Sequence, residues 1–117
     1  MTNMKEISAD TLKNILIQKR VPVLIVDVRE TDEAKGEPLL PIETRQYAIL
    51  PLSILAVLPK EELFVRLEKI AERAGTSLHQ ARWIVSCRSG NRSRRAQGIL
   101  AQHGIESENL SEGYLGW

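Results

Sequence analysis

The sequence holds one cysteine, Cys87, and that scarcity excludes two architectures at once. No disulfide can form within the chain, and a structural zinc site built from several cysteines is ruled out. Aromatic residues are also sparse: two Trp, two Tyr and one Phe are too few for a row of base-stacking platforms. Neither sign of charge dominates. The formal net charge is +1, so nothing global calls for a nucleic-acid partner or an acidic membrane surface. No apolar run approaches the roughly 20 residues of a membrane span. The polar opening Met1-Thr2-Asn3-Met4 shows no signal-peptide-like apolar stretch. A soluble protein in a reducing compartment, most simply the cytoplasm, is expected, with no membrane partner. Whether the chain is one domain of a longer protein stays open.

What is present suits one α/β domain over residues 1–117. Hydrophobic residues make up 43% of the chain, enough for a core. Leu12, Ile15 and Leu16, with Ser8 or Asp10 as cap, predict a short first helix. Val23 to Val28 is a continuous apolar run rich in β-branched residues, the pattern of a strand buried on both faces of a helix-covered parallel sheet. Residues 29–46, with Gly36, Pro38 and Pro41, read as a long loop, and Tyr47 to Leu50 as a short strand ended by Pro51. Pro59 as a first helical residue, followed by Glu61 and Glu62, opens a helix whose apolar face is Leu63, Leu67, Ile70, Ala71 and Ala74, with Gly75 as its stop. Trp83 to Ser86 is a second buried strand that arrives directly at Cys87. A helix carrying Ala96, Ile99, Leu100 and His103 and closed by Gly104 follows, then a strand over Ser107 to Leu110. The alternation predicts a mainly parallel sheet with right-handed crossovers.

Cys87 thus stands where a buried strand ends and a helix begins, the edge at which open α/β sheets bind ligands. In Cys87-Arg88-Ser89-Gly90-Asn91-Arg92-Ser93 the small residues permit a tight curl, and Gly90 and Asn91 tolerate positive φ. Such a curl turns successive N–H groups inward as an anion nest, and the following helix N-terminus adds to the field. From Arg73 through Ile105 there is no Asp or Glu, while six arginines occur, Arg73 included, so positive charge is expected to gather around the thiol. Helix N-termini and cations lower a free thiol's pKa from about 8.5. A lone cysteine is more often a small buried hydrophobe, and a run of arginines is more often a solvated face. The contiguous order of strand, cysteine, cationic glycine loop and helix outweighs both readings.

This order resembles the rhodanese family, whose signature loop matches residues 87–93 at every informative position. Leu24-Ile25-Val26-Asp27-Val28-Arg29 is similar to the family's second strand with its Asp-x-Arg ending. Leu110, Gly113 and Trp117 resemble its C-terminal Leu-x-Gly-Gly-x-x-x-Trp segment. The resemblance runs from about Ile7 to Trp117. It implies a single rhodanese-like domain with about five strands, mainly parallel, flanked by helices on both faces. It implies sulfur transfer with Cys87 as catalytic nucleophile and Arg88, Ser89, Gly90, Asn91, Arg92 and Ser93 as the substrate-binding loop. Cys87 attacks the outer sulfur of an anionic donor such as thiosulfate, expels sulfite, and becomes a persulfide that a second nucleophile discharges. No metal or organic cofactor is required. The acceptor is a thiol or cyanide, with thioredoxin or another protein among the candidates, and a monomer is expected.

Loop length separates relatives. Sulfur-transferring members place arginine five positions after cysteine, as Arg92 stands here, whereas the related phosphatases place it one position later, where this chain has Ser93. A cysteine phosphatase or arsenate reductase is therefore disfavoured, and a non-catalytic sensing or interaction module is the main rival. The chain departs from the family's Gly-His-Ile-x-Gly-Ala with Thr44-Arg45-Gln46-Tyr47-Ala48, and Glu112 replaces the first glycine of the late pair, expected to point outward. Asp27 is either a loop-orienting acceptor near the site or a strand-end turn residue. Arg29 suits a carboxylate pair. His103 fits a helix C-terminus, His79 a polar loop, and Trp83 and Trp117 packing positions.

Overall fold

The computed structural model of the chain describes residues 5–18, 22–35 and 46–117. Five strands form one sheet: β1 (Lys5–Ile7), β2 (Val23–Asp27), β3 (Tyr47–Ile49), β4 (Arg82–Ser86) and β5 (Glu108–Leu110), in spatial order β1-β5-β4-β2-β3. All neighbouring pairs are parallel. The helices are α1 (Ala9–Gln18), α2 (Thr31–Lys35), α3 (Leu52–Leu55), α4 (Lys60–Arg73) and α5 (Asn91–Gln102), followed by a 3-10 turn at Gly113–Gly116.

Alternation along the central strands builds two cores. Leu24, Val26, Trp83 and Val85 face α3, α4 and α5, meeting Leu55, Leu63, Leu67, Ala71, Ala96 and Leu100. Val23, Ile25 and Ile84 face the other way, toward Leu12 of α1, with Ile15, Leu16 and Trp117 partly buried against them. All five residues of β2 are buried, as a helix-covered parallel strand requires. Helices therefore cover both faces.

The predicted elements form, with boundary shifts that have local causes. Ser8 caps α1 by accepting the Thr11 amide at 3.2 Å. Pro59 caps α4 rather than opening it, because its extended ψ of 152° lies outside the helix while its carbonyl accepts the Leu63 amide. Both α4 and α5 close with the paired bonds of a Schellman motif, Thr76 and Gly75 donating to Ala71 and Glu72, and Ile105 and Gly104 to Leu100 and Ala101.

The expected loop over 29–46 is corrected: residues 31–35 are helical. Glu33 reaches back to the Glu30 amide, the return half of a capping box, and Ala34 bonds to the Glu30 carbonyl. Gly36, Pro38 and Pro41 lie outside the described residues. Two further elements, β1 and α3, carry too few residues for a periodic signal. β1 exists through its ladder to β5, and α3 is tied to the end of β2 by the Leu52 amide on the Val28 carbonyl, 3.0 Å.

The topology sets up the site. From β2 the chain moves outward to β3, then returns to the opposite side of β2 as β4. The crevice at the carboxyl ends of such diverging strands is the usual ligand position in open α/β sheets. β4, flanked by β2 and β5, delivers Cys87 to that edge.

Candidate active site

Cys87 follows the last residue of β4, and the chain curls at once into α5. Its sulfur accepts from the Gly90 amide at 3.1 Å and the Ser93 amide at 3.4 Å, and lies 3.3 Å from the Ser93 hydroxyl. The residue is buried at 2% exposure, so these donors largely replace solvent. Burial alone would push the thiol pKa up. The Ser93 hydroxyl and the amides of Ser93, Gly90 and Ser89 outweigh it, and the net shift is downward. The amide nest anticipated from the loop is present and centred on sulfur.

Two glycines let the nest form. Gly90, the cap of α5, has φ +101°, and a β-carbon there would stand 2.3 Å from the Ser111 carbonyl oxygen. Gly113 has φ +58°, and its β-carbon would lie 2.2 Å from the Cys87 carbonyl oxygen and 2.5 Å from that of Arg88. The Leu115 amide donates to the Arg88 carbonyl at 3.3 Å. The segment after β5 is thus a backstop for the cysteine loop, and Glu112 within it is exposed.

The arginines do not gather as expected. The stretch from 73 to 105 is free of acids along the chain, yet folding brings carboxylates to it. Arg92 is gripped by Glu33 of α2, both terminal nitrogens at 2.5 Å from its oxygens. Arg82 pairs with Glu108, and Arg94 with Glu6 at 3.1 Å. Arg88 is exposed and, among the described residues, has no ion pair. The expectation of concentrated positive charge is corrected accordingly: hydrogen-bond donors in the loop, rather than a surplus of cations, favour the thiolate. Ser89 and Asn91 are exposed, and Asn91 begins α5.

Behind the loop lies a buried polar chain that the sequence did not reveal. Ser93 donates to the Asn109 Oδ1. The Asn109 amide nitrogen donates to the Gly90 carbonyl at 3.0 Å and to the Glu6 carboxylate at 3.1 Å. Glu6 and Asn109 come from the paired strands β1 and β5, which hold them in register.

Asp27 takes the strand-end turn reading, and its hydrogen bonds among the described residues go to Arg29 and Tyr47 rather than to the cysteine loop. Its Oδ1 accepts the Arg29 amide at 3.0 Å, an Asx turn, and its carboxylate receives the Arg29 guanidinium at 2.6 Å. The Tyr47 hydroxyl donates to the same carboxylate. Asp27 and Arg29 are each 1% exposed. Burial would lower the Arg29 pKa, but Asp27 outweighs it and holds the guanidinium charged. Burial, then the bond to Asp27, pushes the Tyr47 phenol well above its ordinary value. Asp27 stands opposite Ser86 in the β2–β4 register, so this cluster braces the strand end that presents Cys87.

A family model described as the rhodanese-like domain matches residues 8–117. The chain belongs to the rhodanese-like domain family. Its fold is shared with solved structures. A rhodanese-like domain protein from Staphylococcus aureus superposes with a TM-score of 0.70 at 24% identity, covering 97% of this chain and 91% of that one. A human single-domain sulfurtransferase gives 0.70 at 19% identity, covering 98% and 96%. A rhodanese homologue from Thermus thermophilus gives 0.60 at 20% identity, covering 97% and 100%. No curated protein matches the chain.

In this rhodanese-like domain the segment that departs from the family pattern is described only in part. Thr44 and Arg45 lie outside the described residues. Gln46 donates to the Val23 carbonyl at 3.3 Å, and Tyr47 joins the Asp27 cluster. His79 is exposed before β4, and His103 caps α5 at its far end, so neither histidine reaches the cysteine edge. Trp83 packs in the core and donates to the Leu78 carbonyl at 2.9 Å. Among the described residues no His, Cys, Asp and Glu group could hold a metal ion, and no helix is long and apolar enough to cross a membrane.

Sequence reasoning missed Glu33, Glu6 and Asn109. None of the three left a local signal: Glu33 follows Glu30, which is not a capping residue type, although its side chain does reach the Glu30 amide.

Proposed function

We propose that the protein is a sulfurtransferase that carries a sulfane sulfur on Cys87 between a donor and a thiophilic acceptor. The observation that carries this reading is the convergence of the Gly90 and Ser93 amides and the Ser93 hydroxyl on one buried sulfur. The thiolate attacks the outer sulfur of a donor such as thiosulfate. The donor's S–S bond breaks, sulfite leaves with the electron pair, and Cys87 holds a persulfide whose terminal sulfur the amides can stabilise. An acceptor thiolate or cyanide then attacks that terminal sulfur and returns the Cys87 thiolate.

The loop dimensions favour sulfur over phosphate as the cargo. The position where a longer phosphatase loop would place arginine holds Ser93, whose amide and hydroxyl both approach Sγ. The test is intact mass after incubation with excess thiosulfate or a low-molecular-weight persulfide, for native protein and Cys87→Ser. A gain of one sulfur on native protein only, released as thiocyanate by cyanide, is the expected result. Failure of native protein to gain sulfur from either donor overturns the reading. Gain without discharge to cyanide or thiols would instead favour a sensing module.

A further inference from the structure

Arg92 closes the cysteine loop, where a guanidinium would be expected to receive an oxyanion donor. In the folded chain its bidentate face is already occupied by Glu33, with both contacts at 2.5 Å. That fork of two nitrogens is the geometry with which arginine grips carboxylates and other oxyanions. The bridge is not sealed in the core: the side chains are 35% and 28% exposed, so a donor entering from solvent meets it. The bond to Arg92 holds the Glu33 carboxyl below its usual range. The Arg92 pKa is raised, first by Glu33 and more weakly by the charge of Cys87, which places the bridge within the field of the reacting sulfur.

The charge balance follows. Within the loop, Arg88 and Arg92 are the cations. Glu33 cancels one of them, and the Cys87 thiolate offsets the other. Thiosulfate, a dianion whose sulfonate end suits such a fork, finds little net charge to draw it to the loop and the Arg92 fork already taken, with the exposed Arg88 left, among the described residues, as the loop's free guanidinium. A thiol persulfide brings one negative charge or none on its sulfur pair and needs no fork.

We propose that Glu33 is a donor-specificity residue: by occupying Arg92 it disfavours oxyanion donors and matches the site to thiol persulfides. This inference rests on the sulfurtransferase reading above. In the matched reaction the Cys87 thiolate attacks the terminal sulfur of R–S–SH, and the donor's S–S bond breaks. The inner sulfur leaves as thiolate with the electron pair and takes the donor's proton. Cys87 gains one sulfur, and no separate oxidant or reductant is consumed.

The experiment measures second-order rates of sulfur loading on Cys87 by rapid-quench intact mass, with thiosulfate and with cysteine persulfide, for native protein, Glu33→Gln, Glu33→Ala and Glu33→Gln/Arg92→Gln. Glutamine keeps an oxygen acceptor for the Glu30 amide, whereas alanine removes both roles, so the two single variants separate charge from helix capping. The thiosulfate rate is expected to rise about tenfold in both, a modest electrostatic gain. The persulfide rate is expected to stay within roughly threefold of native, because its approach depends less on local charge. The thiosulfate gain should vanish in the double variant, because it acts through Arg92. An unchanged or lower thiosulfate rate in both single variants overturns the proposal, as does a parallel rise for both donors. Native protein that loads from neither donor overturns the sulfurtransferase reading itself. Native protein that loads normally, with a donor ratio insensitive to Glu33, overturns the specificity proposal alone.

Discussion

Gly113 packs directly on the backbone of Cys87: a β-carbon at Gly113 would stand 2.2 Å from the Cys87 carbonyl oxygen and 2.5 Å from the next one. The neighbours are main chain, so no side chain can swing aside. A positive φ adds a further ~1–2 kcal/mol for any residue with a β-carbon. Gly113→Ala is therefore expected to destabilise the fold by at least that amount in urea titration. It should also slow sulfur loading in the molecules that remain folded, because the loop must move to relieve the contact. Native loading rates in Gly113→Ala would show that the loop does not depend on this backstop.

Ser93 has one hydroxyl proton and two acceptors within reach, the Asn109 Oδ1 and the Cys87 sulfur. Asn109 cannot turn its amide around, since its nitrogen is committed to the Gly90 carbonyl and the Glu6 carboxylate. Asn109 thus competes with the thiolate for the Ser93 proton. Asn109→Ala is expected to lower the Cys87 pKa further, and Ser93→Ala to raise it, as read by the ultraviolet absorbance of the thiolate against pH. Asn109→Ala should also cost about 1–3 kcal/mol of stability, because it strands buried partners. Shifts of the same sign in both variants would refute the competition.

These contacts explain what was legible in the chain and what was not. The cysteine loop, β2, β4 and the helices after them are written in contiguous residues, where an apolar run, a glycine and a row of small polar residues each have a local meaning. Glu33 meets Arg92 across 59 positions, Glu6 meets Arg94 across 88, and Asn109 meets Ser93 across 16. Nothing in a local window distinguishes those carboxylates from solvated ones. The stretch from 73 to 105 is acid-free along the chain but not in space, because parallel strand order sets spatial neighbours independently of chain distance. The three residues of β1 and the four of α3 escaped for a related reason: their partners, rather than their own pattern, make them regular.

Asp27 and Arg29 form a buried pair whose removal should reveal structure rather than sulfur chemistry. Both are 1% exposed, and Arg29 gives the carboxylate contacts from its backbone and its guanidinium. Arg29→Met leaves Asp27 buried against an apolar side chain, and such broken pairs typically cost about 3–5 kcal/mol. Urea denaturation is the measurement, and a loss below about 1 kcal/mol, the scale of a surface pair, would contradict the bracing role. Asp27→Asn/Arg29→Met, which removes the stranded charge, should recover part of the loss.

The depressed thiol pKa of Cys87 makes a final prediction with a defined sign. Alkylation by iodoacetamide tracks the thiolate, so its rate should rise with pH through an ionisation lower than that of the same thiol in the unfolded chain. The unfolded chain retains the ordinary thiol value. Between the two pKa values the unfolded state therefore binds more protons than the folded state, and stability must increase with pH across that window. The contribution is complete above the unfolded thiol pKa and is lost as pH falls through the folded one. Cys87→Ser should remove this rise while leaving the pH dependence elsewhere intact, as read from urea midpoints of the two proteins across the window. Parallel stability curves for native protein and Cys87→Ser would mean that the loop does not favour the thiolate, and the nest geometry would then need another purpose.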